Sequence, residues 1–151
     1  MSKTLKLDDF LPYRLSIASN RVSGAIATVY QALFGLRIPE WRLVAVLAEG
    51  GEMTQLAIGR VTRMDKVTVS RAAIALVERG LAKRSPNADD QRSHHLSLTP
   101  AGQRLYDEVA PMALAIDRQI FAEFSDEELA TLRTMLERLE RAAAALDADQ
   151  G

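Results

Sequence analysis

The segment Lys66-Val67-Thr68-Val69-Ser70-Arg71 gathers side chains that can read the edge of a base pair. Arginine can take guanine O6 and N7 with two hydrogen bonds, threonine and serine can bond bases or phosphates, and a valine methyl can meet the thymine methyl. The spacing predicts that these residues open a helix capped by Asp65, with Val69, Ala72, Ala73, Leu76 and Val77 on one face and Gly80 at the C-terminus. Lys66, Val67, Thr68, Ser70 and Arg71 are then left outside or at the edge. Free N–H groups and the dipole at such a helix start favour phosphate. Upstream, Thr54 can cap a shorter helix, QLAIGRVTR, and Thr54 and Gln55 could hold a nucleic-acid backbone there. Two short helices joined by a turn close to RMDK have the dimensions of a helix-turn-helix, whose second helix enters the major groove.

Charge is distributed accordingly. The net charge is only -1, but Arg60, Arg63, Lys66, Arg71, Arg79, Lys83, Arg84 and Arg92 face only Asp65, Glu78, Asp89 and Asp90 in the same stretch. The segment Glu123 to Asp149 reverses this, with eight acids against Arg133, Arg138 and Arg141. A basic middle and an acidic tail imply one face for a polyanion and another for a different partner.

The surrounding elements must position that segment. A first helix, capped by Asp8 or Asp9 and tolerating Pro12 in its first turn, carries Leu11, Leu15, Ala18, Val22, Ala25, Ile26, Val29 and Leu33 at steps of three and four and stops at Gly35. Pro39 opens a second helix, PEWRLVAVLAE, ended by Gly50-Gly51. After the candidate recognition helix come two strands, LAKRS and HHLSLT, joined by the loop PNADDQRS, the only β structure the pattern predicts. Thr99-Pro100 caps a fifth helix to about Phe124, which Pro111 should kink or split. Ser125 and Glu128 form a capping box for the last helix, whose Leu129, Leu132, Leu136, Leu139, Ala143 and Leu146 follow a heptad rhythm suited to helix–helix association between subunits. The expected fold is mainly α with a small β-hairpin wing: a winged helix-turn-helix plus long terminal dimerisation helices.

Several chemistries are excluded or unsupported. Without cysteine there are no disulfides, thiolate metal sites or thiol nucleophiles. No apolar run approaches the roughly 20 residues of a membrane span, and MSKTLKLDDF lacks the apolar stretch of a signal peptide, so a cytoplasmic protein with no membrane partner is expected. His94 and His95 are neighbours on a strand and point to opposite faces, so no metal site is expected. A Gly-rich phosphate loop and a paired-carboxylate motif are both missing, so no enzyme and no cofactor are expected.

The stretch DKVTVSRAAIALVERGLAKRSPNADDQRSHHLSLTPAG resembles the MarR family of bacterial transcriptional regulators, through TVSR, ERGL, Asp90-x-Arg92 and LSLTPAG, and the order of elements resembles it across nearly the whole chain. The resemblance implies that Arg92 at the wing tip enters the minor groove, oriented by Asp90, with Lys83 and Arg84 near the backbone. The family often carries Arg where this chain has Gln91, so one wing cation is absent. It further implies a homodimer on a pseudo-palindromic duplex, acting as a repressor released by a small aromatic or phenolic effector. The effector crevice would draw on Arg14, Asn20, Tyr30, Trp41 and Arg42, an aromatic–arginine set suited to an aromatic carboxylate. On this reading residues 1–35 are an N-terminal dimerisation helix, 36–99 the DNA-binding lobe and 100–151 the C-terminal dimerisation helices of one intertwined domain. The competing reading is a helical dimeric protein-interaction module whose winged helix meets no operator.

Overall fold

Capping chemistry sets most of the element boundaries. The structure, a computed structural model, describes residues 4–87 and 94–149. Helix α1 (Leu11–Phe34) ends at Gly35, whose φ of 64° is the left-handed turn that glycine adopts without strain. Helix α2 (Ile38–Gly50) starts with Pro39 in its first turn and stops at Gly51. Helix α3 (Gln55–Thr62) and helix α4 (Lys66–Glu78) are capped by Thr54 and Asp65, as the sequence predicts. Strands β2 (Ala82–Pro86) and β3 (His94–Leu98) form the hairpin, and helices α5 (Pro100–Ile120) and α6 (Asp126–Asp149) complete the chain. The α6 capping box closes in both directions, Ser125 N–H to Glu128 Oε1 at 2.9 Å and Glu128 N–H to Ser125 Oγ at 3.1 Å.

Three expectations need correction. Asp8 and Asp9 do not cap α1; they lie in a 3-10 turn, Leu7–Asp9, and Phe10 occupies the cap position without a side-chain bond. The hairpin is not the only β structure, because β1 (Met53–Thr54) pairs antiparallel with β3, giving the order β1-β3-β2. Two residues are too short for an alternating pattern, so β1 left no periodic signal. Of the kink or split expected at Pro111, the split does not occur: α5 runs unbroken from Pro100 to Ile120, and it stops short of the expected Phe124. The missing proline N–H removes one rung of the helix ladder, and the helix continues past it.

The chain divides into two units, residues 1–116 and 117–151. The core of the first unit joins Tyr30 of α1, Leu43, Val44 and Leu47 of α2, Ile58 of α3, Val69, Ala73 and Leu76 of α4, Leu96 of β3, and Leu105 and Val109 of α5. Burying each Val, Leu or Ile among these stabilises the fold by about 1.5–3 kcal/mol. Because α4 contributes its whole apolar stripe, its outer face is fixed relative to α3 and the sheet. In the second unit, Phe121 and Phe124 meet edge-on at 5.9 Å, and α6 leaves Leu132, Met135, Leu136, Leu139 and Leu146 exposed.

Candidate nucleic-acid interface

The start of α4 is held by one carboxylate. Asp65 Oδ1 accepts the Thr68 backbone N–H at 2.7 Å, and Asp65 Oδ2 accepts the Thr68 hydroxyl at 3.0 Å. These bonds hold the Asp65 carboxyl below its ordinary range, chiefly through the Thr68 backbone N–H and then its hydroxyl. With Val69, Ala72 and Ala73 buried, the helix presents Lys66, Val67 and Arg71 exposed and Thr68 and Ser70 half-buried at the edge. The sequence-predicted readers therefore share one outward face.

The helix before it is fixed just as locally. Thr54 Oγ1 accepts from Ala57 N–H at 3.1 Å, and Gln55 sits half-buried beside it. The turn to α4 passes through Arg63 at φ 57°, and Thr62 Oγ1 donates back to the Ile58 carbonyl at 2.7 Å. A cleft of about 420 Å³ between α3 and α4 is lined by Gln55, Leu56, Gly59 and Met64, with Arg60 and Lys66 beside them. A second cleft, about 580 Å³, lies where the α1–α2 turn meets α4 and is lined in part by Arg37, Glu40, Thr68, Arg71 and Arg79. Sequence reading missed this convergence, because Arg37 and Glu40 are more than thirty residues from Arg71 and Arg79 in the chain. Arg79 donates to the Phe34 carbonyl, tying the end of α4 to the end of α1.

The wing follows directly. Lys83 and Arg84 are exposed on β2, opposite Ser97 and Leu96 of β3, and as neighbours on a strand they point to opposite faces. Ser85 donates to Glu52, fastening the hairpin to the loop before β1. Asp90 and Arg92 lie outside the described residues. His94 is exposed, His95 is half-buried, and among the described residues no group of three or more His, Cys, Asp or Glu could hold a metal.

The residues assigned to an effector crevice are placed unequally. Tyr30 is buried and stacks on Trp41 at 5.4 Å, and Trp41 stacks in turn on Tyr106 of α5 at 5.9 Å. Tyr106 was missed because a single tyrosine on a long amphipathic helix carries no local mark. Burial pushes the Tyr30 hydroxyl up, with Arg42 opposing. Arg42 itself is exposed. Arg14 and Asn20 are exposed on the first half of α1, and Arg14 lies roughly 24 Å along the helix from Tyr30.

A helix-turn-helix with a cationic outer face, followed at once by a β-hairpin, defines a winged helix-turn-helix. The MarR family model matches residues 34–93. A probable transcriptional regulator from Pseudomonas aeruginosa is 34% identical, with 89% of this chain and 99% of that one covered at a TM-score of 0.75. A MarR/EmrR family regulator from Acinetobacter sp. ADP1 is 25% identical, covering 93% and 99% at a TM-score of 0.83. The homoprotocatechuate degradative operon repressor of Escherichia coli is 30% identical over 98 residues, 65% of this chain and 66% of its own length. The chain belongs to the MarR family of transcriptional regulators and is not an enzyme. No helix among the described residues is long and apolar enough to cross a membrane.

Proposed function

We propose that this chain is a cytoplasmic, homodimeric, operator-specific repressor released by a small aromatic or phenolic effector. One observation carries the DNA reading: Lys66, Val67 and Arg71 stand exposed at the capped start of α4, with Thr68 and Ser70 at its edge. On this reading α4 enters the major groove and Thr54 and Gln55 hold phosphate. Lys83 and Arg84 follow the backbone, and Arg92, oriented by Asp90, enters the minor groove.

Dimerisation is supported by the apolar residues α6 leaves exposed, Leu132, Leu136, Leu139 and Leu146, which keep the heptad spacing of a helix seam. Two copies would present two α4 helices to half-sites about one helical turn apart on a pseudo-palindrome. Repression is supported by the relative named as repressor of a homoprotocatechuate degradative operon. The Tyr30–Trp41–Tyr106 stack with Arg42 beside it suits an aromatic carboxylate. Ligand would favour a dimer geometry whose α4 spacing no longer fits the duplex.

The test is a gel shift with DNA flanking the protein's own gene at two salt concentrations, repeated with aromatic acids added. Sequence preference with a steep salt slope supports the reading. No shift at low salt overturns it in favour of a protein-interaction module.

A further inference from the structure

We propose that Thr68 is a specificity-determining residue that accepts a hydrogen bond from the exocyclic amine of adenine or cytosine. The inference rests on the DNA reading above and adds which bases one position of the half-site admits. A hydroxyl has a single proton to give. Asp65, two bonds into its role as helix cap, is a carboxylate that can only accept, so the 3.0 Å contact to Oδ2 takes that proton. What Thr68 Oγ1 offers to anything beyond the protein is its lone pairs.

That polarity selects among the groups of the major groove. Adenine N6 and cytosine N4 are its donors, whereas guanine O6 and N7, adenine N7 and thymine O4 are acceptors. Phosphate oxygens are acceptors as well, so the phosphate contact open to threonine in general is closed to Thr68 in this arrangement. Thr68 is the third residue of α4, among the N-terminal positions that meet base edges in a helix-turn-helix, and it is half-buried at the edge of the exposed face. Arg71 lies one turn on, lines the same cleft, and has only donors to give. The two neighbours thus divide the polarities, Thr68 asking for an amine and Arg71 for an acceptor such as guanine.

The arrangement also predicts a way to reverse the preference. In Asp65→Asn the side-chain oxygen can still cap the Thr68 N–H, while the amide nitrogen would donate to Thr68 Oγ1. The hydroxyl proton is then free to point outward, and the same threonine becomes a donor.

The experiment is selection of bound duplexes from a random-sequence pool, read by sequencing, for the wild type and for Thr68→Val, Thr68→Ser and Asp65→Asn, each confirmed folded by circular dichroism. The wild type is expected to enrich adenine or cytosine over guanine and thymine on one and the same strand, at one position per half-site. Thr68→Val should reduce that preference about fivefold, the size of one hydrogen bond, with other positions unchanged. Thr68→Ser should retain it, and Asp65→Asn should move it toward guanine or thymine. A wild type that enriches no motif sinks the DNA reading and this inference together. A clear wild-type motif that Thr68→Val leaves intact sinks the Thr68 assignment alone.

Discussion

The carbonyl oxygen of Leu81 occupies the space that a Cβ on residue 102 would need. Gly102, in the first turn of α5, is buried against the backbone at the base of the wing, with Leu98 Cδ2 3.1 Å from the same point. Thr99 completes the joint: its N–H donates to Leu81 O at 3.1 Å, its hydroxyl donates to Gly80 O at 2.6 Å, and its Oγ1 accepts from Gly102 N–H at 3.1 Å. The end of α4, the first wing strand and α5 are therefore locked at one point.

Gly102→Ala should accordingly destabilise the fold by about 2 kcal/mol or more, since backbone rather than a flexible side chain must move. Thermal unfolding followed by circular dichroism measures this. An unchanged midpoint would mean that α5 does not approach Leu81 so closely.

The Asp65–Thr68 cap gives a pH signature. Because its carboxyl is held below the ordinary value of 3.8 in the folded state, Asp65 contributes stability that is present above pH about 3.8 and lost as pH falls through the lower, folded value. Denaturant titrations of wild type and Asp65→Asn should diverge at neutral pH and converge on acidification below pH about 4. A difference independent of pH would assign the loss to something other than that charge.

Cations on α4 and on the wing should separate by what they lose. Arg71→Ala should weaken operator binding by about tenfold or more while leaving random DNA less affected, as expected for a base contact. Lys83→Ala or Arg84→Ala should weaken both alike and reduce the salt slope by about one unit each. Fluorescence anisotropy across a salt series measures both. Equal losses for Arg71→Ala on operator and random DNA would make it a phosphate contact.

What the sequence disclosed, and what it withheld, follows from how far each signal reaches along the chain. Thr54, Asp65, Thr99 and Ser125 act within three residues of themselves, so their caps were legible. The buried stripe Val69, Ala72, Ala73 and Leu76 was legible from period alone, and it placed Lys66, Val67 and Arg71 outside. Strand β1 was not, because it exists through its pairing of Met53 with Leu96 and Thr54 with His95, forty residues away. Tyr106 behind Trp41, and Arg37 lining one cleft with Arg71, are products of tertiary packing in the same way. The need for glycine at 102 was visible only as part of a family motif; its physical reason is the Leu81 carbonyl.

The last prediction concerns α6. Leu136 and Leu139 are 41% and 45% exposed in the single chain, values unusual for adjacent steps of a leucine seam unless another surface covers them. A charge placed there would be buried without a partner in a paired seam, yet stay solvated in an isolated helix, so Leu136→Glu/Leu139→Glu should convert a dimer into a folded monomer. Sedimentation velocity measures the mass, and helicity by circular dichroism confirms the fold. Operator affinity should fall by at least about a hundredfold, because a monomer forfeits the second half-site and with it the gain from linking two contacts. A wild type that sediments as a monomer would overturn the dimer itself, and a double variant that still sediments as a dimer would place the subunit contact elsewhere than on this stripe.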